Sequence, residues 1–342
     1  MTVRAATTAD APALLRLFRE VYGGHYPLAL GRDLTETQRL LALPSTHWRV
    51  IRDAAGEIIA SAVVLGDTTP RVGVLGGIAV HPDHGGKGLA HRVSAAACTA
   101  AFGGGSLDSA YSTVRLCSPH AQEVVLHQGF RPTGVLPGAA MLTRRESLGF
   151  FVRYAPHALT SRSAPSLLPA ALWPLYRRAL SSLDIADTRP PEITPEAPIP
   201  ASNPIAVSLR RTCAHRYVAT ADHHSARLIL DLNLTAGSAR LYSVQARPGA
   251  LPQIAPALYE QLAHLGVAYV EAAVPLYDAQ EGHTAQEYLA AGMAPAAYYP
   301  AARPRAGRLH DLVLLAHGTP VEPDSVRPCP EIAAFLPVKE TV

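Results

Sequence analysis

The chain has 342 residues, 48% hydrophobic and 17% charged, which supplies a buried core and excludes wholesale disorder. Lys and Arg total 30 against 27 Asp and Glu, a near balance that argues against a nucleic-acid binder working by covering phosphates with positive charge. The length allows two or three domains of ~100–200 residues each.

Only Lys87 and Lys339 are lysines, and the arginine bias, with abundant Ala, is read as genome composition. Met1-Thr2-Val3-Arg4 runs on to Asp10 without an apolar stretch, so no secretory signal is expected. The longest uncharged run, 93–107, carries Ser, Thr and glycines and falls short of the ~18 strongly apolar residues of a membrane helix. Cys98, Cys117, Cys213 and Cys329 form no CxxC pair, and their spacing suggests neither a zinc site nor a disulfide framework. A cytoplasmic protein with no membrane or nucleic-acid partner is expected.

In chain order, 3–5 is strand-like. Thr8 or Asp10 can cap a helix over 11–21, with Leu14, Leu17, Phe18 and Val21 on one face. A Gly/Tyr/Pro loop follows at 22–27, then a short helix capped by Thr35 and ending near Pro44. Strands are predicted over 48–52, 58–65 and 72–80, a helix over 89–102, a strand over 110–114 and a helix over 121–128. Gly129 and Phe130 end that helix, an extended stretch follows over 130–136, and 147–154 pairs beside it.

A helical connector over 167–183 is assigned to the first unit. Prolines 190, 191, 195, 198, 200 and 204 then make 185–205 a semi-rigid extended linker. Three parts are therefore expected: a first domain with its connector over 1–184, the linker, and a second domain with a C-terminal tail over 206–342. Part of the first unit recurs in the second. Val80 ends a strand 49 residues before Gly129, and Val244 ends one 48 residues before Gly292. Loop, helix, strand, loop and helix lie between in both cases, which suggests a duplicated domain.

The most informative stretch is Gly76-Gly-Ile-Ala-Val-His-Pro-Asp-His-Gly-Gly-Lys-Gly-Leu-Ala90. A β-branched strand ends at Val80, Pro82 stops it, and an Ala-rich helix begins directly after three glycines. The N–H groups of Gly86, Lys87, Gly88 and Leu89 at that helix start would suit a diphosphate, helped by the helix dipole, with Lys87 at the rim. The bland alternative is a plain Gly-rich turn. GxGxxG and GxxxxGK[ST] are both missing.

"Ile-Ala-Val-His-Pro … Gly-Gly-Lys-Gly-Leu-Ala" resembles the acetyl-CoA-binding motif of the GNAT N-acetyltransferases, [Arg/Gln]-x-x-Gly-x-[Gly/Ala] after Val-x-Pro. Val80, Pro82, Gly88 and Ala90 match fixed places, whereas Gly85 stands where the family has Arg or Gln. The order of elements fits over about 2–155. The segment of about 206–318 resembles a GNAT half-domain more faintly, with Pro248 where a helix-entry glycine is wanted.

The resemblance implies a mixed α/β GNAT fold with a degenerate second copy. It implies acetyl-CoA as co-substrate and a small-molecule amine as acceptor. His81, His84 and His91, and the run Asp222-His223-His224, lie near each other in sequence, but no HExxH or similar helical spacing is present, so no metal is expected. The resemblance implies that two parallel strands splay so that the pantetheine arm lies along Ile78, Ala79 and Val80, with Gly85, Gly86, Lys87, Gly88, Leu89 and Ala90 around the diphosphate. A backbone N–H near Val80 would polarise the thioester carbonyl.

Acid and base are less legible. The family's Tyr four residues before the Gly-Phe is Val125 here, and 72–80 holds no Asp or Glu. Tyr26, Tyr111 and His25 are the candidate catalytic residues, each with a structural alternative as turn anchor, core aromatic or surface histidine. Tyr22 lies with His25 and Tyr26 in the loop between the first two helices, which in this family walls the acceptor pocket. His120 and Gln122 could contact the CoA arm or simply cap a helix. Tyr288 is a packed aromatic or a relic of duplication. Two other readings stay open: catalysis by the second unit, and a non-catalytic acyl-CoA-binding protein.

Overall fold

The computed structural model describes residues 2–26, 28–67, 69, 71–186, 188–193, 207–212, 216–221, 226–318 and 326–336. The chain divides into two units. The first comprises Met1–Pro132, Phe150–Thr160 and Arg327–Cys329; the second comprises Thr133–Gly149, Ser161–Val326 and Pro330–Val342. The fold is mixed α/β, as the resemblance implies.

In the first unit β1 (Val3–Ala5) leads to α1 (Ala11–Tyr22) and α2 (Leu34–Leu41). β2 (Thr46–Arg52), β3 (Ile58–Asp67), β4 (Val72–Val80), α3 (Leu89–Gly103), β5 (Ser109–Arg115) and α4 (Pro119–His127) follow. The sheet order is β1-β2-β3-β4-β5, antiparallel except for the parallel pair β4 and β5. β3 is buried without interruption from Ile58 to Val64, so both its faces are covered. α1 buries Ala11, Leu14, Leu17 and Phe18, the stripe expected of an amphipathic helix. Leu14, Leu17 and Phe18 meet Tyr26, Leu30, Trp48, Val50, Val63 and Ala79 in one core cluster. Asp33, rather than Thr35, caps α2 by accepting the Glu36 N–H at 3.0 Å.

β6 (Arg131–Met141) and β7 (Arg145–Tyr154) come next, and the division between the units cuts both strands. The second unit continues with β8 (Arg162–Ser163), β9 (Leu168–Pro169), α5 (Trp173–Ser182) and β10 (Glu192–Ile193). Then come β11 (Val207–Arg211), β12 (Arg216–Ala221), β13 (Ala226–Asn233), β14 (Ser238–Ala246) and α6 (Leu251–His264). β15 (Tyr269–Pro275), α7 (Ala279–Ala290), β16 (Ala294–Arg305), β17 (Arg308–Gly318) and the short α8 (Pro330–Ala333) complete it. The strand order β16-β17-β15-β14-β13-β12-β11 is antiparallel except between β14 and β15.

Two expectations change. The connector belongs to the second unit, because Tyr176 of α5 is fully buried there, edge-on to Tyr298 at 5.2 Å. Arg162 just before it forms a buried two-pronged pair with Asp311, Nε to Oδ1 at 2.8 Å and a terminal nitrogen to Oδ2 at 2.5 Å. The Tyr298 hydroxyl and the Ala301 N–H donate to the same carboxylate. The proline-rich segment also starts inside a ladder, with β10 parallel to β9 and the Leu168 N–H on the Pro191 carbonyl. The rest of that segment, from 194, lies outside the described residues. Among the described residues no helix is long and apolar enough to cross a membrane.

Asp10 fastens the start of the first unit. Its buried carboxylate accepts from the Thr7 N–H at 2.8 Å, the Thr7 hydroxyl at 3.1 Å, Arg4 at 2.8 Å and Arg52. Burial alone would raise its pKa, but those donors outweigh it and lower the pKa to about 2. The folded value lies below the unfolded one, so the contribution is present above pH ~4 and is lost as pH falls through about 2. Asp10→Asn is expected to lower unfolding free energy at pH 7 by about 2 kcal/mol, and the gap from wild type should close on acidification. Denaturant unfolding of both proteins across that range tests this.

Candidate active site

β4 and β5 pair only through Val72, Gly73 and Val74 against Ser109, Ala110 and Tyr111. One step further the Ser112 hydroxyl takes the Leu75 carbonyl at 2.9 Å, where a ladder bond would have continued. On its other edge β4 stays bonded to β3, with Ser61 opposite Ala79, Ala60 opposite Val80 and the His81 N–H on the Ile59 carbonyl at 2.9 Å. Backbone groups alternate sides along a strand. The Ala79 and His81 groups therefore face β3, and those of Ile78 and Val80 face the side where β5 has left. β4 also carries one residue more than β3 between Gly76 and Ala79. Gly77 absorbs it with φ at +58°, a left-handed conformation that favours glycine.

Beyond Val80 a 3₁₀ turn at Pro82–His84 brings the chain to Gly85, and α3 starts after Gly88. Gly86 and Gly88 have φ of +73° and +67°, and a Cβ on either would meet nothing within 4 Å. Residues 85–88 are exposed. No acceptor among the described residues meets the N–H groups of Gly86, Lys87, Gly88 or Leu89. The loop is thus an open set of donors at the start of a 15-residue helix, which suits an anion. Its opening lies at the same end of β4 as the gap left by β5.

The side chains around the gap are aromatic. Phe18, Tyr22 and Tyr26 form a chain of rings with centroids 4.8 Å apart for Phe18 and Tyr26, and 4.7 Å for Tyr22 and Tyr26. The Tyr22 hydroxyl donates to the Ile78 carbonyl at 3.0 Å. Burial raises the Tyr22 pKa, and the Arg115 charge acts in the opposite sense. Tyr26 is 8% exposed, and its phenol is raised by burial first and by Tyr22 second, against a Gly77 backbone hydrogen bond. His25 is exposed on the loop. Tyr111 stacks on Phe150 at 5.1 Å, at the last paired position of β5. Val125 is fully buried. Of the predicted catalytic residues, Tyr26 lies against the Gly77 backbone, Tyr111 sits at the last paired position of β5, and His25 is on the exposed loop.

Gln122 has a different occupation from the one expected. It is fully buried, and its amide nitrogen donates to the Leu116 carbonyl at 3.2 Å and the Arg327 carbonyl at 3.0 Å. Its oxygen accepts the Cys329 N–H at 2.7 Å, and the Arg327 N–H reaches the Leu116 carbonyl at 2.8 Å. It is a clamp for 327–329. His120 packs with His91 at 5.9 Å, and His127 with His91 at 4.8 Å. Burial, then the two neighbouring rings, lower the His91 pKa. Among the described residues no group of three or more His, Cys, Asp or Glu is placed to hold a metal. The run Asp222-His223-His224 lies outside the described residues.

The second unit has a counterpart gap. β14 and β15 pair from Ser238 with Tyr269 to Leu241 with Ala272, and β14 runs on to Ala246. Its loop before α6 differs: the Gly249 N–H donates to the Glu287 carboxylate at 3.1 Å. Tyr288 lies in the core of that unit, 7% exposed.

Residues 11–130 match the family model of the acetyltransferase (GNAT) family. That segment is a GNAT acetyltransferase domain. Among solved structures, the spermidine N-acetyltransferase SpeG of Vibrio cholerae in complex with CoA and spermine aligns at 21% identity and TM-score 0.38, over 45% of this chain and 94% of that one. The ribosomal-protein-S5-alanine acetyltransferase of Vibrio fischeri aligns at 15% and 0.40, over 45% and 92%. The ribosomal-protein-alanine N-acetyltransferase of Brucella melitensis aligns at 18% and 0.40, over 45% and 100%. No curated protein matches the chain by sequence.

The bond from Tyr22 to Ile78 and the Gln122 clamp were not singled out by sequence. The first joins residues 56 apart and the second joins residues 207 apart, so no local pattern encodes either. Gln122→Leu removes the donor to the Arg327 carbonyl and the acceptor of the Cys329 N–H, while the Leu116 carbonyl keeps the Arg327 N–H, at a cost of about 1–3 kcal/mol. Hydrogen exchange at Cys329 should then accelerate while exchange in α1 is unchanged. Unchanged protection at Cys329 would contradict the clamp.

Proposed function

We propose that the protein is an acetyl-CoA-dependent N-acetyltransferase that moves an acetyl group to the amine of a small molecule by direct attack. The observation that carries the reading is the half-open pair of β4 and β5, which leads straight to the unpartnered donors of residues 86–89. The diphosphate would sit on those N–H groups, and the pantetheine arm would lie along Ile78 and Val80 in place of the missing β5 ladder. The Val80 N–H, turned into the gap, would hold the thioester oxygen as charge develops on it. The amine nitrogen then forms a bond to the acetyl carbon, the carbon–sulfur bond breaks, and the amine loses a proton to solvent.

The second unit is read as a second copy that has lost the site. Its strand order β11-β12-β13-β14-β15-β17-β16 follows the sequence order of β1 to β5, β7 and β6, and its parallel pair is the fourth and fifth strand. Only four residues separate β11 from β12, too few for the two helices that follow β1. Glu287 on the Gly249 N–H sets a carboxylate where a phosphate would be needed. The acceptor wall is therefore assigned to α1, α2 and the loop between them, whose Phe18, Tyr22 and Tyr26 rings suit a small amine with an apolar body.

Calorimetric titration of the full chain with acetyl-CoA, then thiol release over polyamines, amino sugars and N-terminal peptides, tests the reading. Binding with release on a small amine is expected. No binding overturns it, and binding without release on any amine makes the protein an acyl-CoA binder. Gly88→Trp would cover the open donors, so acetyl-CoA affinity should fall at least ~100-fold. Because φ at Gly88 is +67°, the side chain also costs about 1–2 kcal/mol of strain, more than a plain surface change. Far-UV circular dichroism at 20 °C should remain that of the folded protein.

A further inference from the structure

We infer that Tyr22 is the hydrogen-bond donor to the leaving sulfur, a role that rests on the acetyl-CoA reading above. The gap has a closed end and an open end. Ser112 on the Leu75 carbonyl shuts it on one side, and the loop at 86–89 opens it on the other. An arm anchored by its diphosphate at the loop enters past Val80 and stops before Leu75. Its tip, which carries the sulfur, therefore lies beside Ile78. The Ile78 carbonyl points into the gap, and the Tyr22 hydroxyl is on it at 3.0 Å.

Three further features favour Tyr22 over the other tyrosines. It is half-buried, whereas Tyr26 is enclosed in the core cluster and engaged with the Gly77 backbone. Its ring is fixed between Phe18, at 6.1 Å and 16° between planes, and Tyr26, so the hydroxyl position is set by packing. Arg115 acts on it electrostatically, which supports a site where negative charge appears. Tyr111 belongs to the paired part of β5, below the closed end.

When the carbon–sulfur bond breaks, its electron pair goes to sulfur. The Tyr22 O–H turns from the Ile78 carbonyl to that thiolate and stays a phenol, while the proton released by the amine goes to solvent. Val125 leaves the family's usual donor position without a hydroxyl, and Tyr22 reaches the gap from α1 instead of α4.

Binding of CoA and of desulfo-CoA, which lacks only the thiol, reads the contact directly. At about pH 9, near the ~8.5 of a free thiol, part of the CoA is thiolate. Wild type should bind CoA about 10-fold tighter than desulfo-CoA, the scale of a hydrogen bond to a charged group. In Tyr22→Phe the two should bind within about twofold, and in Tyr26→Phe the preference should persist. On wild type itself, tyrosinate absorbance should show one tyrosine titrating at higher pH with CoA than with desulfo-CoA, a readout independent of how the variants fold. Equal affinities in wild type, a preference kept in Tyr22→Phe, or no tyrosine shift would overturn the role of Tyr22 while leaving acetyl-CoA binding intact. Failure of wild type to bind either molecule would overturn the acetyl-CoA reading, and this role with it.

Discussion

β4 and β5 exchange ladder bonds only as far as Val74 and Tyr111, and the first unit's site follows from what each strand does with the backbone groups released beyond that point. A buried or half-buried strand edge must place its N–H and C=O groups somewhere. Leu75 gives its carbonyl to Ser112, and Ile78 gives its carbonyl to Tyr22. Val80 lies further along the same edge, where the strand runs into the glycine loop. The extra residue at Gly77 sets this arrangement, because it lets β4 keep its bonds to β3 on both sides of the bulge.

The two units use the same device with different outcomes. In each the fourth and fifth strands of the order run parallel, and the first strand of that pair outruns its partner's ladder. In the first unit the loop that follows has three glycines and free donors. In the second it has Pro248, and its Gly249 N–H is taken by Glu287. A carboxylate at a helix start satisfies the donors and the dipole much as a phosphate would. A glycine loop with open donors and a loop whose N–H is held by a carboxylate of its own unit thus follow strands of the same order.

Buried charge serves fastening in both units. Asp10 gathers Thr7, Arg4 and Arg52 at the start of the first. Asp311 gathers Arg162, Tyr298 and the Ala301 N–H in the second. Each carboxylate is satisfied by several donors, the condition under which a buried charge is tolerated. These anchors hold segments that carry little apolar surface of their own, β1 in one case and β8 in the other.

The amino-acid sequence by itself determined the local features: the α1 stripe, the strand ending at Val80, the glycine loop at 85–88, and the glycines ending α4 and α7. All are written within a dozen residues, in periodicity or in residue types that permit positive φ. It also singled out Tyr26, Tyr111 and His25 by residue type and element, and gave no sign that the Tyr22 hydroxyl meets the Ile78 carbonyl. Only the tertiary structure decided which hydroxyl meets the opened strand. That depends on how α1 lies against β4, on a bulge one residue long, and on where a ladder 37 residues apart in sequence stops. The same holds for Gln122, whose polar amide gives no sign in sequence that it will be buried against residues near the far end of the chain. Contacts of that separation are set by packing of whole elements, and no short pattern records them.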